Sequence, residues 1–207
     1  MNPIDKLASY FEKFPGIGPR QARRFVQYLL HQSNASRFAL AEEIRALGAG
    51  TAQCRDCFRW FAKSRSVQDG PVCEICANER RDASVLFVVE KDADLEPVER
   101  SNFLGRYFVL GGTMPLGEEH PQKFVRSREL VARVERDGIS GTLKELILGL
   151  SATTEGDHTR LLLQEELQPL AGKFGFKISS LGRGLSTGSE LEYADPDTIS
   201  EALGSRR

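Results

Sequence analysis

The chain has 207 residues, 40% of them hydrophobic and 28% charged, enough apolar content to bury a core in one large domain or two smaller ones. Its net charge of -1 hides an asymmetry: residues 1–80 carry 12 Lys+Arg and 8 Asp+Glu, a net of +4, and the other 16 and 21 leave residues 81–207 at -5. No apolar run is long enough to span a membrane and Met1–Lys6 has no signal-peptide character, so a cytoplasmic protein is expected, with its basic front turned to any polyanion.

Taken in chain order, residues 3–13 predict a short amphipathic helix, with Ile4, Leu7, Ala8 and Phe11 on one face. Phe14–Pro19 is a tight connector, and helical periodicity resumes from Arg20 to Leu30. A third helix is expected over Ser36–Leu47, stopped by Gly48. Residues 51–80 hold every cysteine and little periodicity, the mark of a small metal-organised module. From residue 84 the character changes. Ser84–Val89 is a continuous apolar run that reads as a strand buried on both faces. Further strands are expected at Arg106–Leu110, Glu145–Leu150 and Lys177–Leu181, alternating with helices at Ser127–Glu135 and Asp157–Ala171. That alternation predicts a mostly parallel α/β sheet. A Gly/Ser-rich stretch, Arg183–Tyr193, and a last helix at Pro196–Leu203 close the chain.

The cysteines carry the strongest signal. Cys54-x2-Cys57 and Cys73-x2-Cys76, fifteen residues apart, are two knuckles that together complete one tetrahedron. Four protein ligands leave no open coordination position, so one structural Zn2+ per chain is expected; in a reducing compartment this outweighs redox dithiols or incidental cysteines. Phe58, Trp60 and Phe61 lie between the knuckles, and packing is the stronger reading for them over base stacking.

Pro15-Gly16-Ile17-Gly18-Pro19 between two short helices fits a helix-hairpin-helix. Gly16 and Gly18 let the backbone turn and bring bare amides near a phosphate oxygen, while Arg20, Arg23 and Arg24 follow on the next helix. Such a contact reads backbone rather than bases, so it predicts sequence-independent, salt-sensitive DNA binding. The bland alternative is an αα-turn with a solvated basic face. Glu90 and Asp94 follow the first strand of the α/β half, and Glu155 and Asp157 follow a later one. Strand ends are where such sheets place sites, so these acids can share a divalent ion such as Mg2+. Equally, they can be solvated carboxylates and helix N-caps.

The order of these parts resembles the RecR family of bacterial recombination mediator proteins over essentially the full length. The motifs VVEKDAD (Val88–Asp94), RYFVLGG (Arg106–Gly112) and TTEGD (Thr153–Asp157) are similar to a Toprim domain, and RGLSTGSELEYAD (Arg183–Asp195) to the family's C-terminal Walker-B-like stretch. The chain departs from the family's TNPTxEG at Leu150–Thr154 and from its GxPxGxxLEY at Ser186. The resemblance implies an α+β multidomain protein: a helix-hairpin-helix DNA-binding region at 1–50, a zinc module at 51–80, a Toprim domain at 81–182 and a C-terminal segment for subunit contacts at 183–207. It further implies a non-catalytic DNA repair mediator that binds single- and double-stranded DNA, acts with RecO and RecF to load recombinase, and assembles as a homodimer or homotetramer ring. Within it, the Toprim acids Glu90, Asp94, Glu155 and Asp157 belong to the surface engaging RecO. Independently, the place of the cysteines between the hairpin and the α/β half makes a rigid joint the expected role of the zinc. The competing expectations are a Mg2+-dependent Toprim nuclease or primase using those four acids, and a zinc-ribbon adaptor for RNA or protein.

Overall fold

A computed structural model describes residues 1–63, 70–182, 184–185, 188 and 190–204. Arg183, Ser186, Thr187 and Ser189 of the Gly/Ser-rich stretch lie outside the described residues. The chain divides into two compact units, Met1–Ala52 and Gln53–Arg207.

The first unit is helical: α1 (Pro3–Phe11), α2 (Pro19–His31) and α3 (Asn34–Gly50). Asn2 caps α1 by accepting from the Asp5 amide, with Pro3 preset for the first turn. Ala8, Ala22 and Val26 form a small core under Phe11 and Ile17. The Phe11 ring meets Phe14 and Phe25 edge-on at 5.8 and 5.6 Å. Ser33 caps α3 by accepting from the Ser36 amide, so the helix begins at Asn34, two residues before the expected start. Nor does α3 stop at Gly48. A glycine costs a helix about 1 kcal/mol, too little to end one by itself, and the helix continues until Thr51 turns extended.

A short strand, β1 (Thr51–Gln53), spans the boundary, and the second unit continues with β2 (Trp60–Ala62) and the one-turn helix α4 (Glu74–Ala77). Then come β3 (Asp82–Val89), α5 (Leu95–Arg100), β4 (Gly105–Val109), α6 (Ser127–Ile139), β5 (Glu145–Gly149), α7 (Thr154–Phe174), β6 (Lys177–Ser180) and α8 (Pro196–Gly204). The four strands β3–β6 form one fully parallel sheet in the order β4-β3-β5-β6. Central β3 pairs Val88 with Phe108 on one side and with Leu148 on the other.

Both faces of β3 are covered, which is why its apolar run is unbroken. Leu86 and Val88 join Phe108, Leu130, Leu146 and Leu163 in the main core. The opposite face holds Phe87, Phe103 and Tyr107, rings 5.3 to 6.2 Å apart. Beside them Arg81 is bound by the Glu99 carboxylate and by the Phe103 and Gly105 carbonyls, and the Tyr107 hydroxyl donates to Glu99 at 2.5 Å. The Arg81 guanidinium holds Glu99 below the ordinary carboxylate range, and burial pushes the Tyr107 phenol up.

The chain leaves β3 toward β4, then crosses back to build β5 and β6 on the other side. The point where connections change direction therefore lies between the C-terminal ends of β3 and β5, the usual place for a crevice in such a sheet.

Candidate functional site

The four cysteines meet. Their sulfurs all lie within 4.8 Å of one another, with Cys57 and Cys73 Sγ 3.6 Å apart. A tetrahedron of zinc–sulfur bonds has edges of about 3.8 Å, so the cluster has the right size for one zinc ion. Cys54, Cys57 and Cys73 are fully buried and Cys76 is half-buried. Local backbone shapes the first knuckle: the Phe58 amide returns to the Cys54 carbonyl at 2.9 Å, and Phe58 itself takes φ +62°. The Cys73 amide points at Cys54 Sγ at 3.4 Å, a donor that favours thiolate there. Hydrogen bonding with Cys57 pulls the Cys54 thiol below its ordinary value, while the same contact pushes Cys57 up. Four thiolates this close need a cation to coexist.

The module is fastened to the Toprim-like sheet. The Val109 amide donates to the Cys57 carbonyl at 2.8 Å, and the Phe58 ring packs on Phe108 at 5.3 Å. Arg133, only 4% exposed, donates to the Asp56 carbonyl at 2.8 Å and to Asp137 at 2.6 Å. Arg126 lies over the Phe58 ring at 5.5 Å and donates to the Val109 carbonyl. Sequence reasoning did not single out Arg126 or Arg133; arginines in or just before an amphipathic helix carry no pattern that separates them from solvated ones. Of the three aromatics between the knuckles, Phe58 and Phe61 pack as expected, whereas Trp60 is 56% exposed.

The hairpin in the first unit has the local geometry its glycines require. Gly16 adopts φ +74°, and nothing lies within 4 Å of where a Cβ would project from Gly16 or Gly18. Gly18 is the N-cap of α2, so the first turn has no side-chain cap. Arg20, Arg23 and Arg24 are exposed on that helix. Arg23 reaches Asp5 at 3.4 Å and Arg24 reaches the Gln21 side chain at 3.4 Å, both weak surface contacts. Arg37 is differently employed, donating to the Leu29 and Gln32 carbonyls at the end of α2.

The four acids lie around the β3/β5 switch point without gathering. Among the described residues, no three carboxylates bring oxygens within 4.8 Å of one another. Glu90 is 7% exposed and accepts the Ser151 amide at 2.5 Å, tying the end of β3 to the loop after β5. Asp94 accepts the Lys91 amide at 2.8 Å, and Asp157 is paired with Arg160 at 3.3 Å. Glu155 is exposed in the first turn of α7. That turn is set by Thr153, whose hydroxyl accepts the Gly156 amide at 3.1 Å. A Cβ on Gly156 would fall 2.1 Å from the Ser151 carbonyl oxygen, so only glycine fits there. His158 belongs to no cluster of three or more metal-ligating side chains among the described residues.

Comparison with known proteins follows the same division. Residues 84–181 match the Toprim domain family, and residues 184–207 match the family described as RecR, C-terminal. Recombination protein RecR of Synechococcus sp. (strain CC9605) is 39% identical over 203 residues, covering 98% of this chain and 98% of that protein. Recombination protein RecR of Dehalococcoides mccartyi is 35% identical over 205 residues, 99% of this chain and 93% of that protein. The corresponding protein of Bacteroides thetaiotaomicron is 38% identical over 205 residues, 98% and 92% of the two chains. With its helical start, four-cysteine cluster, parallel Toprim sheet and RecR C-terminal segment, the chain belongs to the RecR family of recombination proteins.

Proposed function

We propose that this protein is a cytoplasmic, non-catalytic mediator of recombinational DNA repair. It binds the DNA backbone without sequence preference and acts with RecO and RecF to load recombinase on single-stranded DNA. The observation that carries the DNA reading is the hairpin: an uncapped start to α2 at Gly18, open space at both glycines, and exposed Arg20, Arg23 and Arg24 beside it. Amides and the positive end of the helix dipole attract a phosphate, and the guanidiniums neutralise its neighbours. The 3.4 Å pair between Arg23 and Asp5 is exposed on both sides, so a phosphate displaces it at little cost.

One zinc ion on Cys54, Cys57, Cys73 and Cys76 has a structural role here, since four thiolates leave no position for a substrate. The described acids support the non-catalytic reading over a Mg2+-dependent nuclease or primase. Glu90, Asp94 and Asp157 already hold a backbone amide or an arginine, leaving Glu155 as the outward-facing acid of a partner surface for RecO. Self-association into a dimer or tetramer is supported by α3, which buries none of its residues and exposes Phe38, Ile44 and Leu47.

The test is fluorescence anisotropy of labelled single- and double-stranded oligonucleotides across a salt series. Three phosphate contacts predict a log–log salt slope of about -2.7 per chain on duplex, and Arg20→Glu/Arg24→Glu lowers it by about two. Salt-independent binding refutes the hairpin. Cleavage or primer synthesis that Glu90→Ala abolishes refutes the mediator reading in favour of the enzyme.

A further inference from the structure

Trp60 is the one aromatic of the zinc module that the fold does not use. It stands on β2 beside Phe61, which points inward and is 9% exposed, while the indole is 56% exposed. It lines a cleft of about 530 Å³ between the four-cysteine module and the Toprim helix α5, entirely within the second unit. Ile75 and Leu95, 6% and 5% exposed, are buried beneath it, and Glu74, Asp92 and Glu96 stand on its rim.

The charge of this cleft decides what it can hold. Its lining carries Arg59 and Arg81 against Glu74, Asp92, Glu96 and Glu99, a net of -2. The two cations are spent internally. Arg81 is enclosed by Glu99 and two carbonyls, and Arg59 is paired with Glu74 at 2.9 Å. Asp92 fixes the wall by accepting the Trp60 amide at 2.6 Å. Glu74, which shares its charge with Arg59, and Glu96, which shares its charge with Arg100, keep side chains 68% and 71% exposed, so an incoming guanidinium can compete for both carboxylates. A nucleic-acid base stacked on Trp60 would bring its phosphates against these carboxylates. A guanidinium, by contrast, stacks on an indole face and takes carboxylates bidentately.

We propose that this cleft is a docking site for an arginine-bearing segment of a protein partner, with the guanidinium over Trp60 and the carboxylates of Glu74 and Glu96 closing on it. The site is separate from the hairpin and from the acids at the β3/β5 switch point, and it does not depend on the DNA reading.

Trp60 is the only tryptophan in the chain, so its emission reports the site directly. The zinc-loaded full chain, carrying Arg20→Glu/Arg24→Glu to silence the hairpin, is titrated with a short peptide of alternating arginine and glycine. Parallel titrations use the same peptide with glutamate for arginine, and oligothymidylate. The arginine peptide is expected to shift or quench Trp60 saturably, and the glutamate peptide to leave it unchanged. Glu74→Gln/Glu96→Gln, with its zinc content and circular dichroism matching the parent, is expected to bind about fivefold more weakly. Three results overturn the proposal. Quenching by oligothymidylate makes Trp60 a base-stacking platform, and an emission change on raising protein concentration alone makes the occupant a second copy. Absence of response to the arginine peptide, or a response the double variant does not weaken, removes the site.

Discussion

Replacing Glu90 by alanine separates a structural carboxylate from a metal-binding one. In the structure this side chain is 7% exposed, and its Oε1 takes the Ser151 amide at 2.5 Å across the switch point. A hydrogen bond to a charged acceptor contributes roughly 1.5–3 kcal/mol, and the freed amide of a partly buried loop loses its partner. Removing a buried charge offsets a part of that, so Glu90→Ala is expected to destabilise the second unit by about 2 kcal/mol, near 1 M in urea midpoint. Glu90→Gln keeps an acceptor oxygen in place and is expected to cost about half as much. Urea unfolding of the zinc-loaded protein, followed by the emission of Trp60, measures both, and amide exchange at Ser151 should quicken in the alanine variant. Parent-like stability of Glu90→Ala would refute the reasoning. So would a parent midpoint that rises with millimolar Mg2+ and no longer does so in Glu90→Gln, because a ligand that binds the native state raises its stability.

The other predictions touch the module and its seat. Cys54→Ser, or chelation of the parent, is expected to release metal and lose cooperative unfolding of residues 53–80, with ion content and circular dichroism as readouts; retention of one equivalent of zinc would count against four-cysteine ligation. Arg133→Met removes the donor to the Asp56 carbonyl and leaves the Asp137 carboxylate to the exposed Arg136 at 3.2 Å, a loss of about 3 kcal/mol by urea unfolding, whereas Arg128→Met on the same helix should be near neutral. Glu99 has a folded-state value held by Arg81 below its ordinary 4.5, so its contribution is present above that pH and is lost as pH falls through the depressed value. Glu99→Gln should therefore lie below the parent in stability at neutral pH and converge with it in acid, with both samples metal-loaded and compared at each pH, since acid also protonates the thiolates.

Much of this arrangement was legible because its signals are periodic or local. The apolar run Leu86–Val89 requires cover on both sides, and two CxxC knuckles with no other cysteine in the chain leave little choice of partners. What escaped notice depends on contacts distant in sequence. α5 has six residues, too few for a helical stripe to repeat, and the Thr153 cap carries no apolar periodicity, so periodicity alone starts α7 late, at Asp157. Glu90 could be placed at a strand end but not assigned its partner, which lies 61 residues away in a loop. Proximity in sequence groups Trp60 with Phe58 and Phe61, although alternation along β2 turns it the other way from Phe61.

The position of the four-cysteine module would give a bound metal a specific mechanical task. β4 is an edge strand of the parallel sheet, and an open edge offers unpaired amides and carbonyls to any passing chain. Here Phe108 and Val109 are nonetheless buried, because the Val109 amide that faces away from β3 is taken by the Cys57 carbonyl while Phe58 covers Phe108. Phe58 reaches that position only from a left-handed backbone conformation, φ +62°, which is unfavourable for an aromatic residue and is held by the knuckle around it. An ion on the four cysteines would therefore do more than shape a loop: it would hold the cap that closes one side of the sheet. The α6 arginine Arg133 clamps the same loop from behind through the Asp56 carbonyl, so an ion on the cysteines and this guanidinium would support one another across residues 54–58. Loss of either should first expose β4, and the early consequence should be chain-to-chain association through that edge rather than loss of the aliphatic core.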